Sequence, residues 1–398
     1  VLTQFATPSG EKNVWTTFSA DQIDLNYHNP DVLLDMLDTL LFYVEHGAEF
    51  LRLDAIAYLW KEIGTPCINL PQTHHVIQLV RAVLDEIAPQ VKLITETNVP
   101  HTENISYFGD GSNEAQLVYN FALPPLVLHT FQTANASTLS RWASKLTLPS
   151  NHVTFFNFLA SHDGIGVNPA RGILGDSEID ALVARAQAHR GLVSYKTNHD
   201  GTSSPYELNV NYFDALSDPN ANDPLDTQVT RFITAQAIML SLVGVPGIYF
   251  HSLFGSRGWR EGPAATGQNR AINRAKFARG VLERELADPM SRRWAVFTRY
   301  CQLLRPRTMH PAFNPYSSMR ILDIHPSIFS VLRVDARDRP VLCLHNVSDQ
   351  LQNVELKLRD LFSVHDKELA DLITDERFDM PATLRLAPYQ TLWLTSIS

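Results

Sequence analysis

The chain has 398 residues, 44% of them hydrophobic and 19% charged, with a formal net charge of −9. That is the composition of a soluble globular protein with one large domain and a smaller one, and with no basic patch it argues against a nucleic-acid partner. Cys67, Cys301 and Cys343 are far apart and odd in number, so neither a metal spacing nor a disulfide framework is visible, a reducing cytoplasm is the simplest setting, and no apolar run reaches membrane length.

Asn29-Pro30 caps and starts a helix in which Leu33, Met36, Leu37, Leu40, Leu41 and Val44 recur at helical spacing, with Gly47 as its stop. The strand 49–55 follows at once. A second helix fits 73–88, with His75, Val76, Leu79, Val80, Val83, Leu84 and Ile87 as one stripe, and "VKLITET" follows as a strand. "AQLVYNF" from Ala115 and "VTFFNFLASHD", 153–163, keep the rhythm, and a helix over 227–243 leads into a further strand, "VPGIYFHS". Strands separated by helices are the signature of a parallel α/β sheet or barrel.

From about Arg305 the texture changes to short alternating runs, "MRILDIHPSIFSVLRVD", "RPVLCLHNVS", "QNVELKL", "ATLRLAP" and "QTLWLTS", which predict a small antiparallel β domain. The polar segment 190–223 reads as a long irregular insertion, and such insertions are more often functional loops than linkers.

"GAEFLRLDAIAY", 47–58, places Arg52 and Asp54 two apart in an apolar run. In a buried strand both point the same way, so the pair either rescues a core from an unpaired charge or faces a site. Asp54, Glu96 and the His162-Asp163 pair each fall where an apolar strand gives way to a loop. In a parallel barrel that rim carries the active site, and two carboxylates on neighbouring strands have the short separation of a retaining glycosidase, about 5 Å. Each also has a plain structural reading: Asp54 as partner to Arg52, Glu96 as a strand-end cap, Asp163 as a turn residue before Gly164.

"FLRLDAIAY", "LITETN" and "FLASHD", in this order, resemble three motifs of the α-amylase superfamily, and "QIDLN" is similar to the short motif before its fourth barrel strand. "VWTTFSADQIDL", "ASHDGIGV" and "NRAINR" resemble the sucrose phosphorylase group, while "SSPYELNVNYFDAL" and "GIYFHSLFGSRG" look closest to its glucosylglycerate phosphorylase members. The resemblance implies an α/β fold: a (β/α)8 TIM barrel of the α-amylase type lacking its first three strands here, with a small C-terminal antiparallel β domain. An amino-terminal truncation is the expectation, because the motif usual at the third strand is absent and the first strand placed corresponds to the fourth. The division expected is 1–28 as the end of the insertion before strand 4, then 29–304 as strands 4 to 8, with an inserted acceptor-side loop region at about 190–225. The β domain is expected over 305–398.

Carried over motif by motif, Asp54 resembles the nucleophile, Glu96 the general acid/base and Asp163 the transition-state stabiliser. Arg52 stands beside the nucleophile, His162 resembles a sugar-binding histidine, and Arg270 matches an arginine that clasps far hydroxyls. Phe18 and Gln22 match glucose-pocket positions, with core packing as the plain reading of Phe18 and a solvated charge as that of Arg270. Tyr206 and Glu207 fall in a loop resembling the acceptor-site loop, or are mere loop residues. The implied reaction is phosphorolysis of an α-glucoside to α-glucose 1-phosphate, with small-molecule glucoside and inorganic phosphate as the only partners, no cofactor and no metal. Glucosylglycerate leads as substrate and sucrose follows, while a hydrolase or transglycosylase and an inactive fragment stay open. A glycerate carboxylate needs a cation, and Arg190, Lys196, His199 and Arg257 lie in or beside the loops expected on that side.

Overall fold

A computed structural model describes residues 1–198, 200–355, 361–362, 368–379 and 383–397. The chain divides into two compact units, residues 1–119 with 148–153, and residues 120–147 with 154–398.

The first unit opens on a hairpin that the sequence reading did not anticipate: β1 (Leu2–Thr7) pairs antiparallel with β2 (Gly10–Trp15) across a turn closed by Gly10 at φ 103°. Helix α1 (Pro30–Glu45) starts as expected, with the Asn29 side chain accepting from the Asp31 N–H and Pro30 at its first position. Gly47, at φ 90°, follows its end. Strand β3 (Phe50–Leu53) comes next, but it is not a buried strand: Phe50 is 55% exposed and Arg52 is only partly covered. Among the described residues of this unit β3 pairs with β4 alone, so its other edge carries no ladder.

Helix α2 (Pro71–Ile87) buries a face rotated from the one expected. Val76, Ile77, Val80 and Leu84 are inside, while His75, Leu79 and Ile87 are exposed. The cause is Arg81, 1% exposed, which donates to the Val91 carbonyl at 2.9 Å and to Gln116 at 3.0 Å. Gln116 in turn accepts from the Leu93 N–H at 3.0 Å, so a charged residue on the inner face of α2 fixes the start of β4 (Lys92–Thr95) beside β5 (Leu117–Tyr119). β3, β4 and β5 are parallel, with Leu53 level with Thr95 and Thr95 level with Val118. The next residue on each strand is Asp54, Glu96 and Tyr119.

In the second unit β6 (Thr154–Asn157) pairs parallel with β10 (Val245–Pro246). Both are shorter than the apolar runs suggested. Phe158 and Leu159 are buried at 6% and 1% exposed but lie in a loop, because Asn157 turns its amide to the Val243 carbonyl at 2.8 Å and the chain leaves the sheet there. Asp163 therefore sits six residues past the strand rather than at its end. The run after Pro246 likewise becomes a short helix, Phe250–Leu253.

The segment read as irregular is ordered. β7 (Ile165–Gly166), β8 (Leu192–Thr197) and β9 (Ser203–Asn209) form an antiparallel sheet in the order β7-β9-β8, with a register shift at Ser194/Tyr195, and a helix Tyr212–Leu216 follows. The buried core of this unit is centred on the helices Leu123–Thr133 and Leu225–Ser241. A helix Arg292–Met309 precedes the carboxyl-terminal strands.

Those strands are β11 (Ser318–Ile321), β12 (Ile328–Val334), β13 (Pro340–Asn346), β14 (Gln352–Glu355), β15 (Glu368–Asp371), β16 (Arg377–Asp379), β17 (Thr383–Leu386) and β18 (Thr391–Ser396). They make an antiparallel sheet in the order β11-β12-β13-β18-β15-β16 and a β14-β17 pair, as the alternating runs predicted. The end of the "QNVELKL" run, 356–358, and Ala382 of "ATLRLAP" lie outside the described residues. Arg333, fully buried, donates to the carbonyls of Ser241, Leu242 and Asn314 and ties β12 to the end of the helix Leu225–Ser241.

Candidate active site

Within the first unit the parallel register sets two carboxylates side by side. Arg52 Nη1 donates to Asp54 Oδ1 at 2.5 Å, and its Nη2 lies 4.0 Å from Glu96 Oε1. The Arg52 Nε donates to the Tyr119 hydroxyl at 3.1 Å, and the guanidinium carbon stands 5.5 Å from the tyrosine ring centre. Burial works against the Arg52 cation, yet Tyr119, Glu96 and Asp54 outweigh it and hold its pKa above the ordinary range. The Tyr119 phenol is pushed up by burial, with Arg52 pulling the other way. Asp54 is open, its side chain 71% exposed, while the Glu96 side chain is 15% exposed. So Arg52 and Asp54 do not rescue a core; they face an opening.

Ala55 was not singled out by sequence. It adopts a left-handed conformation at φ 49°, and from there its backbone N–H donates to Glu96 Oε2 at 2.9 Å. Phe18, 51% exposed and therefore no core residue, meets Tyr58 edge-on with ring centres 5.4 Å apart. The Tyr58 phenol is raised by burial and then by Glu96 and Glu103, which places Phe18 near the carboxylates. Gln22 is exposed and bonded to Ser19 by backbone and side chain. In the same "QIDLN" run it is Asp24 that is built in, accepting from the Thr17 N–H and hydroxyl and paired with Lys61 at 2.7 Å.

Within the second unit Asp163 is the centre of a different cluster. Its Oδ1 takes Arg270 Nη1 at 3.1 Å and Arg274 Nη2 at 3.0 Å. Arg274 Nε also donates to the His162 carbonyl at 2.7 Å, and the Asn273 amide to the Asp163 carbonyl at 2.9 Å. The His162 ring is 55% exposed, with Nε2 3.6 Å from Asp163 Oδ2. Sequence reading chose the first arginine of "NRAINR"; the structure sets both on Asp163.

Arg270 is engaged twice over. Its Nε and Nη2 donate to the two oxygens of Glu207 at 2.9 and 3.0 Å, and the Glu207 side chain is 3% exposed. This two-point grip positions Arg270 and leaves each Glu207 oxygen a further lone pair. The same bonds rule out Arg270 as a solvated surface charge. Tyr206 lies beside it on β9, partly buried, its carbonyl accepting from the Val167 N–H.

The cations expected on the acceptor side are mostly committed elsewhere. Arg257 pairs with Asp214 at 2.6 Å and donates to Gln228 at 2.6 Å, while Asp214 also accepts from the Gly258 N–H. Lys196 donates to Asn168 at 3.3 Å, and burial followed by repulsion from Arg171 lowers its pKa. Arg190 is an exposed turn residue at φ 64° after the helix Asp176–Ala188, and His199 lies outside the described residues.

Comparison with known proteins gives this geometry a context. Residues 10–169 match the family described as alpha amylase, catalytic domain. A glucosylglycerate phosphorylase of Allomeiothermus silvanus is 51% identical over 394 residues, which are 99% of this chain and 68% of that protein. A second, from Escherichia coli (strain K12), is 46% identical over 386 residues, 96% of this chain and 66% of the relative. Among solved structures, the sucrose 6F-phosphate phosphorylase from Thermoanaerobacter thermosaccharolyticum aligns with a TM-score of 0.73 at 22% identity, over 87% of this chain and 67% of that one. The structural likeness shows the fold: a (β/α)8-barrel architecture with a C-terminal β domain. Among the described residues no helix is long and apolar enough to cross a membrane.

Proposed function

This chain belongs to the glucosylglycerate phosphorylases of the sucrose phosphorylase group, in the α-amylase superfamily, and we propose that it acts as a retaining phosphorylase on glucosylglycerate. The observation that carries the chemistry is Arg52, in contact with Asp54 and 4.0 Å from Glu96 at the ends of adjacent parallel strands. That is the placement a nucleophile and an acid/base require on one rim.

In the first displacement an Asp54 carboxylate oxygen attacks C1 of the glucosyl group while Glu96 gives its proton to the departing glycerate oxygen. The C1–O bond to glycerate breaks and a β-glucosyl ester of Asp54 forms. In the second, a phosphate oxygen attacks C1 from the face the glycerate left, Glu96 receives its proton, and Asp54 departs as carboxylate. Two inversions yield α-glucose 1-phosphate with retention. Asp163, steadied by Arg270 and Arg274, is the proposed stabiliser of the charge that develops at the sugar ring. His162, exposed beside Asp163, is the proposed hydrogen-bond donor for a sugar hydroxyl. Phosphate is the only co-substrate the scheme calls for, and a phosphate-consuming reaction of this kind suits a cytoplasmic setting.

The test is to incubate the protein with glucosylglycerate, and in parallel with sucrose, with and without phosphate, and to assay glucose 1-phosphate against free glucose. Glucose 1-phosphate from glucosylglycerate supports the reading. Free glucose alone makes the enzyme a hydrolase, and a product from sucrose only moves the substrate. Asp54→Ala in the same assay should retain well under about a tenth of the wild-type rate.

A further inference from the structure

One side chain, that of Lys61, joins residues 15–28 of the first unit to the loop that follows Asp54. Its ammonium pairs with Asp24 at 2.7 Å, donates to the Tyr58 carbonyl and stands 6.0 Å from the centre of the Trp15 ring. The ion pair is well covered, with the Lys61 and Asp24 side chains 14% and 15% exposed. Burial alone would raise the Asp24 pKa, but the bonds from Lys61 and Thr17 outweigh it and hold it below the ordinary range, so the carboxylate stays ionised. A second tie crosses the same gap: His28 Nε2 donates to the Lys61 carbonyl at 2.7 Å, and the His28 ring lies against Trp60 with centres 4.1 Å apart.

What the ammonium joins is an aromatic pair. Asp24 accepts from the Thr17 N–H at 3.0 Å and the Thr17 hydroxyl at 2.6 Å, and its own N–H donates to the Trp15 carbonyl at 3.0 Å, which closes residues 15–24 into a loop with Phe18 on it. Phe18 is 51% exposed, so burial does not fix its ring; Tyr58 meets it edge-on at 5.4 Å. Tyr58 ends the short helical turn Ile56–Tyr58, with its N–H on the Ala55 carbonyl at 3.1 Å, and Ala55 in turn donates to Glu96. The two rings therefore stand on separate stretches of chain, and the Lys61 ammonium is bonded to both: to the loop of Phe18 through Asp24, and to Tyr58 through its carbonyl. A carboxylate and a carbonyl only accept, so a donor has to stand between them, and a lysine brings three donors and a compact charge on a flexible stem.

We propose that Lys61 is a positioning residue for the glucoside: its ammonium holds Phe18 and Tyr58 together as one aromatic wall beside Glu96, against which the glucosyl ring is seated. The proposal rests on the phosphorylase reading for its ligand. A wall of this kind is met by the bound substrate and by the transition state alike, so its loss falls on KM rather than on kcat. A merely structural ion pair behaves oppositely: its loss lowers the amount of folded enzyme, and with it the apparent kcat, and leaves KM where it was.

The experiment compares wild type with Lys61→Met, Lys61→Arg and Asp24→Asn, by amide hydrogen exchange and by glucose 1-phosphate formation at varied glucosylglycerate. Lys61→Met keeps the stem and removes the charge. The expected result is faster exchange confined to residues 15–28, with β3 and β4 as in wild type, and a KM raised about tenfold with kcat within about twofold. Asp24→Asn should move both readouts the same way, and Lys61→Arg should bring both back toward wild type. Should Lys61→Met fail to fold, Asp24→Asn, which keeps an acceptor oxygen for Thr17, carries the test. Phe18→Ala should raise KM to a similar extent, and combining it with Lys61→Met should raise it no further, because both changes remove the same wall. Unchanged exchange over residues 15–28, an unchanged KM in folded variants, or additive effects of the two substitutions overturn the proposal. A wild type that forms no glucose 1-phosphate while its exchange over residues 15–28 still depends on Lys61 removes the phosphorylase reading and leaves Lys61 as the clasp between the two rings.

Discussion

Ala55 donates its backbone N–H to Glu96 from a left-handed conformation, at 2.9 Å and φ 49°. A residue with a Cβ pays about 1–2 kcal/mol to sit there, and such strain persists only where the surroundings impose it. Here the residue follows the proposed nucleophile and its amide grips the proposed acid. A β-branched side chain is still less tolerant of this region, so Ala55→Val should swing the amide away from Glu96 while Ala55→Gly keeps it. A backbone N–H favours the ionised carboxylate, so its loss moves the alkaline limb of the pH–rate profile, where the general acid loses its proton, upward. We expect Ala55→Val to lose about tenfold or more in kcat with that shift, and Ala55→Gly to stay near wild type. Identical profiles for the three proteins would sink the argument.

Tyr119 supports the other side of the same arginine. With Nε on the tyrosine hydroxyl, Arg52 has its remaining donors aimed at Asp54 and toward Glu96. Tyr119→Phe removes the hydroxyl but leaves the ring against the guanidinium, separating positioning from packing. A hydrogen bond to a charged group contributes about 1.5–3 kcal/mol, so kcat should fall about tenfold with KM and melting temperature little changed. A variant with unaltered kcat would show that Arg52 needs no such support.

The carboxylate pair was legible because strand periodicity and register are local: once β3 and β4 are parallel with Leu53 level with Thr95, Asp54 and Glu96 follow. Asp163 was found by its motif but misplaced on the strand, since buried loop residues such as Phe158 and Leu159 look the same in sequence as strand residues. The hairpin of β8 and β9 was hidden by its Ser- and Asn-rich composition, which masks alternation. The Glu207–Arg270 pair was not legible because Arg270 lies 63 residues further on, in a helical turn that no pattern connects to β9. Arg274 differs from Arg270 in sequence only by position; its bonds to the His162 carbonyl and Asp163 are tertiary facts.

The Glu207–Arg270 pair gives a third prediction. Replacing Glu207 by Gln keeps the shape and removes the charge, leaving Arg270 with Asp163 as its only carboxylate among the described residues. Because the Arg270 side chain is 40% exposed, solvent screens much of the change, and the stability cost should be about 1–2 kcal/mol, a few degrees in melting temperature. The larger effect should fall on glucoside KM, since Arg270 also steadies Asp163. A stability loss with unchanged KM and kcat would confine Glu207 to a structural part.

The last prediction concerns acid. His345 on β13 is fully buried, with Nδ1 3.1 Å from the Thr391 hydroxyl, and burial pushes its pKa down to about 3. The unfolded chain has an ordinary histidine near 6.5, so below that pH the unfolded state binds a proton that the native state refuses. The stability tied to the neutral ring is therefore complete above about pH 6.5 and is lost progressively as the pH falls toward 3. At pH 5 the 1.5-unit gap amounts to about 2 kcal/mol. His101, His189, His251 and His310, also lowered chiefly by burial, act in the same direction, so the wild-type acid limb alone cannot assign the effect. The difference between wild type and His345→Leu can. Leu is apolar and cannot protonate, so the stability lost between pH 7 and pH 5, measured by urea unfolding followed by fluorescence, should shrink by about 2 kcal/mol in the variant. Parallel pH dependences in the two proteins would mean that His345 becomes protonated without unfolding the sheet.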